Sequence, residues 1–155
     1  MLRIGLISDT HALLRPEAST FLRGCAHIIH AGDVGNRKIL EELSAIAPTT
    51  AVRGNNDTGP RAETLSETEL LQFGKVFLYL IHDLSQLDID PQAAGVGVVV
   101  SGHSHQPVIR ERNDVLYINP GSAGPRRFKL PISIGEIIIA GHSVSPRIIE
   151  LGGRR

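Results

Sequence analysis

Leu2-Arg3-Ile4-Gly5-Leu6-Ile7-Ser8-Asp9-Thr10-His11 decides how the rest of the chain is read. Four large apolar residues, in a run too short for an ordinary helix, close on a carboxylate and an imidazole, as a buried strand does where it opens onto a polar site. The same grammar recurs. With 2–8 as the first, eight runs rich in Ile, Val and Leu and closed by Gly, Pro, Asn or Asp predict strands; the others are 27–30, 49–52, 76–81, 96–100, 115–118, 132–140 and 144–151. Helical spacing separates the early ones. Residues 16–24 open with Pro at a first turn and stop near Gly24, and 36–47 carry Ile39, Leu40, Leu43 and Ile46 on one face. This alternation predicts an α/β fold, and the close succession of strands after Val96 predicts antiparallel or mixed sheet in the second half. Residues 84–94, interrupted by Pro91, support at most a short helix; 58–72 read equally as strand or surface loop, and 152–155 as a frayed tail.

The 155 residues fit a single domain, 1–155, long enough to bury a real core. Lys and Arg number 16 and Asp and Glu 16, so there is no strong nucleic-acid signature. One cysteine, Cys25, excludes an internal disulfide, and neither a leader pattern nor an 18-residue apolar run is present. These features predict a soluble cytoplasmic protein without membrane attachment, and they leave a homo-oligomer open.

Chemistry concentrates where the apolar runs stop, which is where open α/β sheets bind ligands. The first run leads into Asp9 and His11, the second into His30-Ala31-Gly32-Asp33, the third into Gly54-Asn55-Asn56-Asp57, the fourth into His82-Asp83, and the fifth into Gly102-His103-Ser104-His105. Four of the seven histidines, those at 11, 82, 103 and 105, follow such runs as ligand candidates. Asp9 and His11, like His103 and His105, are two apart, so in extended chain each pair can face one site. Glycines at 32, 54 and 102 precede ligand types, as a sharp turn or a close backbone approach requires. Carboxylate, imidazole and amide oxygen without thiolate argue against structural zinc and iron–sulfur, and this much imidazole argues against a calcium or magnesium cage. Mn, Fe, Co, Ni or Zn remain, and seven ligands suit two ions sharing a carboxylate.

In this order, Asp9-x-His11, Gly32-Asp33, Gly54-Asn55-x-Asp57, His82 and Gly102-His103-x-His105 resemble the calcineurin-like metallophosphoesterase superfamily. The short chain, the opening Ile7-Ser8-Asp9-Thr10-His11 and Asn119-Pro120-Gly121-Ser122 resemble its small YfcE-type phosphodiesterase branch. The resemblance implies a four-layer α/β/β/α sandwich of two mixed β-sheets with a dinuclear site at one edge. It implies Asp9, His11 and His105 on a first ion, Asn55, His82 and His103 on a second, and Asp33 bridging. The ions are divalent transition metals, with Mn the first choice and Ni, Fe, Co or Zn as substitutes. The implied activity is hydrolysis of a small-molecule phosphodiester by a metal-activated hydroxide attacking in line, with His103 assisting proton movement.

Three positions depart from the family pattern. Asn56 replaces a histidine regarded in many members as the acid for the leaving group, and an amide cannot serve as an acid, so Asn56 reads as a turn residue or phosphate contact. Asp83 and Ala12 stand where glycine is usual. Elsewhere plainer roles are expected: Asp57 orienting its neighbours, His30 buried against backbone, His27 and His142 at the surface or in turns, and Arg126 and Arg127 balanced between solvent and a substrate phosphate. Two rival functions follow from the same fold, a non-catalytic protein scaffold, as in a retromer subunit, and a nuclease; the full ligand set weighs against the first and the neutral charge against the second.

Overall fold

The computed structural model describes residues 1–127 and 129–151, so the expectation for 152–155 lies outside the described residues. Among the described residues ten strands and three helices follow in the order β1 (Leu2–Ile7), α1 (Pro16–Leu22), β2 (His27–His30), α2 (Arg37–Ser44), β3 (Thr49–Ala51), α3 (Gly59–Glu63), β4 (Thr68–Phe73), β5 (Val76–Ile81), β6 (Val98–Val100), β7 (Val108–Arg112), β8 (Val115–Asn119), β9 (Ser133–Ala140) and β10 (Ser143–Glu150). Local chemistry sets the helix starts. Pro16 occupies the first turn of α1, where its missing N–H costs nothing, and the Asn36 side chain accepts the Ile39 N–H to cap α2.

Two five-stranded sheets pack face to face. The first runs β10-β9-β1-β2-β3 and the second β4-β5-β6-β8-β7. In each, three neighbouring strands are parallel, β1-β2-β3 and β5-β6-β8, and the remaining strands pair antiparallel. Both sheets are therefore mixed. Between them lie Ile4, Leu6 and Ile29 against Leu78, Leu80, Val98 and Val100. Outside the first sheet, Ala18, Leu22, Ile39 and Leu43 of α1 and α2 cover Ile7, Ile28 and Ile134. The fourth layer is thin: after a 3-10 turn at Leu84–Gln86 the chain lays Ile89 over Ile81, Val96, Val99 and Val115. This is the implied sandwich of two mixed sheets. Among the described residues no helix is long and apolar enough to cross a membrane.

β7 and α3 have no counterpart among the expected elements, and β4 falls where the sequence allows either strand or loop. α3 and β4 share the ambiguous 58–72 stretch, and β7 is Val-Ile-Arg-Glu-Arg. β4 and β7 close opposite edges of the second sheet, each with one neighbour, so neither needs the apolar run that marks a central strand.

Candidate metal centre

The parallel triplets place six strand ends toward one edge, and loops from five of them bring the seven expected ligands together. The first group gathers around Asp9, which is fully buried. Its Oδ2 accepts from Ser8 Oγ at 2.6 Å and from the His103 N–H at 3.1 Å. Its Oδ1 has no hydrogen-bond partner and stands 3.4 Å from His105 Nε2 and 4.0 Å from His11 Nε2, itself buried and unpartnered. Two buried polar atoms facing one another without partners are costly, and a cation between them would satisfy both, with His105 Nε2 in reach of the same point. The residues present thus fit a metal ion.

The second group differs. His82 Nδ1 donates to the Ala31 carbonyl at 2.6 Å, which turns Nε2 toward Asn55 Oδ1 at 2.9 Å and Asp33 Oδ2 at 3.4 Å. Asn55 Oδ1 also lies 3.1 Å from His103 Nδ1, and the two rings meet edge-on at 5.2 Å. Burial lowers the His82 pKa, but the Asp33 hydrogen bond and the Ala31 carbonyl outweigh it, and the pKa is raised. A proton and a cation compete for the same lone pair.

Asp33 Oδ2 reaches both groups, at 3.4 Å from His82 Nε2 and 3.8 Å from His11 Nε2. Asn56 donates its N–H to Oδ1 at 2.8 Å and its amide Nδ2 to Oδ2 at 3.1 Å. Burial pushes the Asp33 pKa up, but hydrogen bonds from His82 and Asn56 win and hold the carboxyl well below the usual range. Two overlapping sets, Asp9 with His11 and His105, and Asp9 with Asp33 and His82, keep their donor atoms within 4.8 Å of one another.

Backbone shape supplies much of this convergence. Asp9, His11, Asp33, His103 and His105 all have left-handed φ, between 46° and 71°, as does Ala12 at 69°. Asp, Asn and His tolerate this region better than most residues, and bulky aliphatics do not. Close approach does the rest. A Cβ on Gly102 would collide with Ser8 Oγ and stand 2.8 Å from Asp9 Oδ2, and one on Gly54 would collide with the Asp33 carboxylate.

Residues behind the ligands hold the loops. Asp57 accepts four backbone N–H groups, from Asp33, Val34 and Gly54 at Oδ2 and from Gly35 at Oδ1, at 2.9–3.3 Å, so one carboxylate ties the β2 loop to the β3 loop. His30 is fully buried. Its Nδ1 accepts the Gly32 N–H, so Nε2 carries the hydrogen and donates to Thr10 Oγ1, which donates to the Val34 carbonyl. Burial lowers the His30 pKa to about 4, against the raising influence of Asp9 and Asp57. The sixth strand end, β8, contributes support: Asn119 Nδ2 donates to the Gly102 carbonyl and Ser104 Oγ, and Ser122 Oγ donates to the Asp9 carbonyl.

Asp57 and His30 thus take the plain roles expected of them, but their networks join loops distant in sequence and left no local signal. His27 differs from expectation: it is half-buried in β2, 2.8 Å from Thr50 Oγ1 and edge-on to Phe73, because β4 crosses beside it. His142 lies in the exposed turn between β9 and β10, and Arg126 and Arg127 are exposed beyond Gly124. Asp83 faces His103 rather than His82: Oδ1 accepts from Ser85 N and Oγ, and Oδ2 lies 3.8 Å from His103 Nε2.

Comparison with known proteins agrees with this geometry. A family model for the calcineurin-like phosphoesterase superfamily domain matches residues 2–143. A probable metallophosphoesterase of Methanothermobacter thermautotrophicus is 38% identical over 160 residues, covering 96% of this chain and 92% of its own. The phosphodiesterase YfcE of Escherichia coli K12 is 27% identical, covering 87% and 86%. Among solved structures, Vps29 of Chaetomium thermophilum superposes with a TM-score of 0.83 at 19% identity over 96% of this chain and 87% of that one, a likeness of fold. The chain belongs to the calcineurin-like phosphoesterase superfamily.

Proposed function

We propose that this superfamily member is a metal-dependent phosphodiesterase acting on a small-molecule diester at a dinuclear centre. The observation that carries the reading is the position of Asp33 Oδ2, within 4 Å of an imidazole nitrogen in each ligand group, His82 and His11. Asp9, His11 and His105 would hold one divalent ion, Asn55, His82 and His103 the other, and Asp33 both, with Mn the first choice and Ni, Fe, Co or Zn as alternatives. When bound, such ions lower the pKa of water and offset charge on phosphoryl oxygens, the basis of in-line attack at phosphorus.

The chain's own residues have separate tasks. His103, whose side chain is 43% exposed, is the ligand-group imidazole most open to a substrate, and its Nε2 faces Asp83 Oδ2; this atom handles the proton that moves with the leaving alcohol. Asn56 holds the Asp33 carboxylate through two hydrogen bonds and has a second amide hydrogen to offer a phosphoryl oxygen. With no acid at position 56, leaving groups of low pKa are favoured. The test is metal-stripped protein assayed on bis-p-nitrophenyl phosphate and p-nitrophenyl phosphate with Mn²⁺, Ni²⁺, Co²⁺, Zn²⁺ and Mg²⁺ restored singly. Turnover of the diester well above the monoester supports the reading, and no turnover in protein that binds two ions refutes it.

A further inference from the structure

Beside His103 the outer face of the second sheet opens into a groove of about 720 Å³, a volume suited to a small organic ligand. The 84–91 segment forms one wall, with Leu84, Leu87 and Ile89; the floor is the β7–β8 hairpin. Cross-strand register sets what the floor presents. Val108, Arg110 and Arg112 pair with Asn119, Tyr117 and Val115, and alternation along β7 turns these three toward the groove while Ile109 and Glu111 line the opposite side of the strand.

The groove therefore has a direction. Asn119 and Val108 stand level with the metal-ligand loops, Tyr117 and Arg110 come one step further, roughly 7 Å along a strand, and Arg112 a further step beyond. Arg110 and Arg112 are exposed, and neither side chain has a hydrogen-bond or ion-pair partner among the described residues. Apolar walls and a tyrosine beside the reactive centre fit a flat ring, and guanidinium forks beyond it fit a second phosphate. Opposite them, Asp83 and Asp90 penalise an anion anywhere but the arginine side.

The geometry points to a specificity groove for a diester one of whose alcohols is nucleotide-like, its ring over Tyr117 and its second phosphate at Arg110 and Arg112. This rests on the phosphodiesterase reading, and it goes further by naming the substrate class. The decisive comparison uses two chromogenic diesters with the same leaving group, thymidine 5′-(p-nitrophenyl phosphate) and its 3′-phosphorylated counterpart, with metal-loaded protein. Alongside it, metal-free protein is titrated calorimetrically with thymidine 3′,5′-bisphosphate and with thymidine 5′-phosphate. The expected result is a preference of about tenfold or more for the 3′-phosphorylated ester in kcat/KM, tighter binding of the bisphosphate, and loss of both preferences in the Arg110→Ala/Arg112→Ala variant. Equal turnover of the two esters together with equal binding of the two nucleotides overturns the groove and leaves the phosphodiesterase standing. Absence of turnover on both esters and on bis-p-nitrophenyl phosphate overturns the phosphodiesterase reading, and the titration then decides the groove by itself.

Discussion

The two ligand groups meet at one carboxylate yet are built on opposite principles. Around Asp9, Oδ1 and the nearby His11 Nε2 are buried and without hydrogen-bond partners, whereas around Asn55 the amide oxygen lies 2.9 and 3.1 Å from ring nitrogens of His82, which is buried, and His103, which like Asn55 is exposed. A group without internal partners gains most from a cation and has nothing to fall back on when it is removed. A group with internal partners can close upon itself. On the dinuclear reading affinity and openness are divided: the first group would keep an ion, and the second would share its surroundings with a substrate.

The largest loss is expected from removing what the two groups have in common. Asp33→Ala takes an oxygen from both, and kcat/KM on bis-p-nitrophenyl phosphate is expected to fall about 10³-fold or more, with circular dichroism unchanged; full activity would contradict the shared-carboxylate reading. Asp57→Ala leaves the ligands intact but strips the acceptor from four backbone N–H groups. The expected cost is about 3–4 kcal/mol in urea unfolding of the metal-free protein, because buried donors are left unsatisfied.

Acid probes the support beneath the β1 and β2 loops. His30 has a folded pKa of about 4, below the unfolded value near 6.5, so between those values the unfolded state binds more protons. Its contribution to stability is complete above pH 6.5 and is lost as pH falls toward 4, amounting to about 3 kcal/mol. Urea midpoints from pH 7 to 4 should show this drop in the metal-free wild type and a shallower one in His30→Gln; matching profiles would exclude His30 as the source of the drop. The division of affinity itself is read by metal titration. His103→Ala should keep the tighter binding class, and Asp9→Ala should lose it by about 100-fold; equal losses would erase the distinction. The smallest effect sharpens the picture of the backbone. Ala12 sits at φ 69°, so Ala12→Gly should raise stability by about 1 kcal/mol in thermal unfolding.

How far these features could be read from the sequence depended on how local their causes are. Asp9, His103 and His105 were visible because each follows an apolar run that must end somewhere, and β5 was visible because Val-Phe-Leu-Tyr-Leu-Ile has no other use in a small protein. β4 and β7 were hidden because an edge strand is held by a neighbour's backbone and can be charged throughout. The division between the ligand groups was hidden too, since it depends on which oxygen of Asp9 is taken by Ser8 and on Asn55 lying between two histidines 27 and 48 residues away. The groove needed the register of Arg110 opposite Tyr117, which no composition reveals.

The sheet order has a consequence for biosynthesis. β1 carries Asp9 and His11, and its antiparallel neighbour is β9, pairing Leu2 with Ile139; the Ser122 hydroxyl that steadies Asp9 is also more than a hundred residues downstream. A nascent chain leaving the ribosome therefore shows β1 with one bare edge until residues 133–140 have emerged, a surface open to chaperones and to other unfinished chains. On the dinuclear reading, metal would be held in the finished geometry only after that moment. Loading with an ion would then report that synthesis of this region is complete, and shortened chains lacking β9 should be recovered metal-poor and aggregated rather than weakly active.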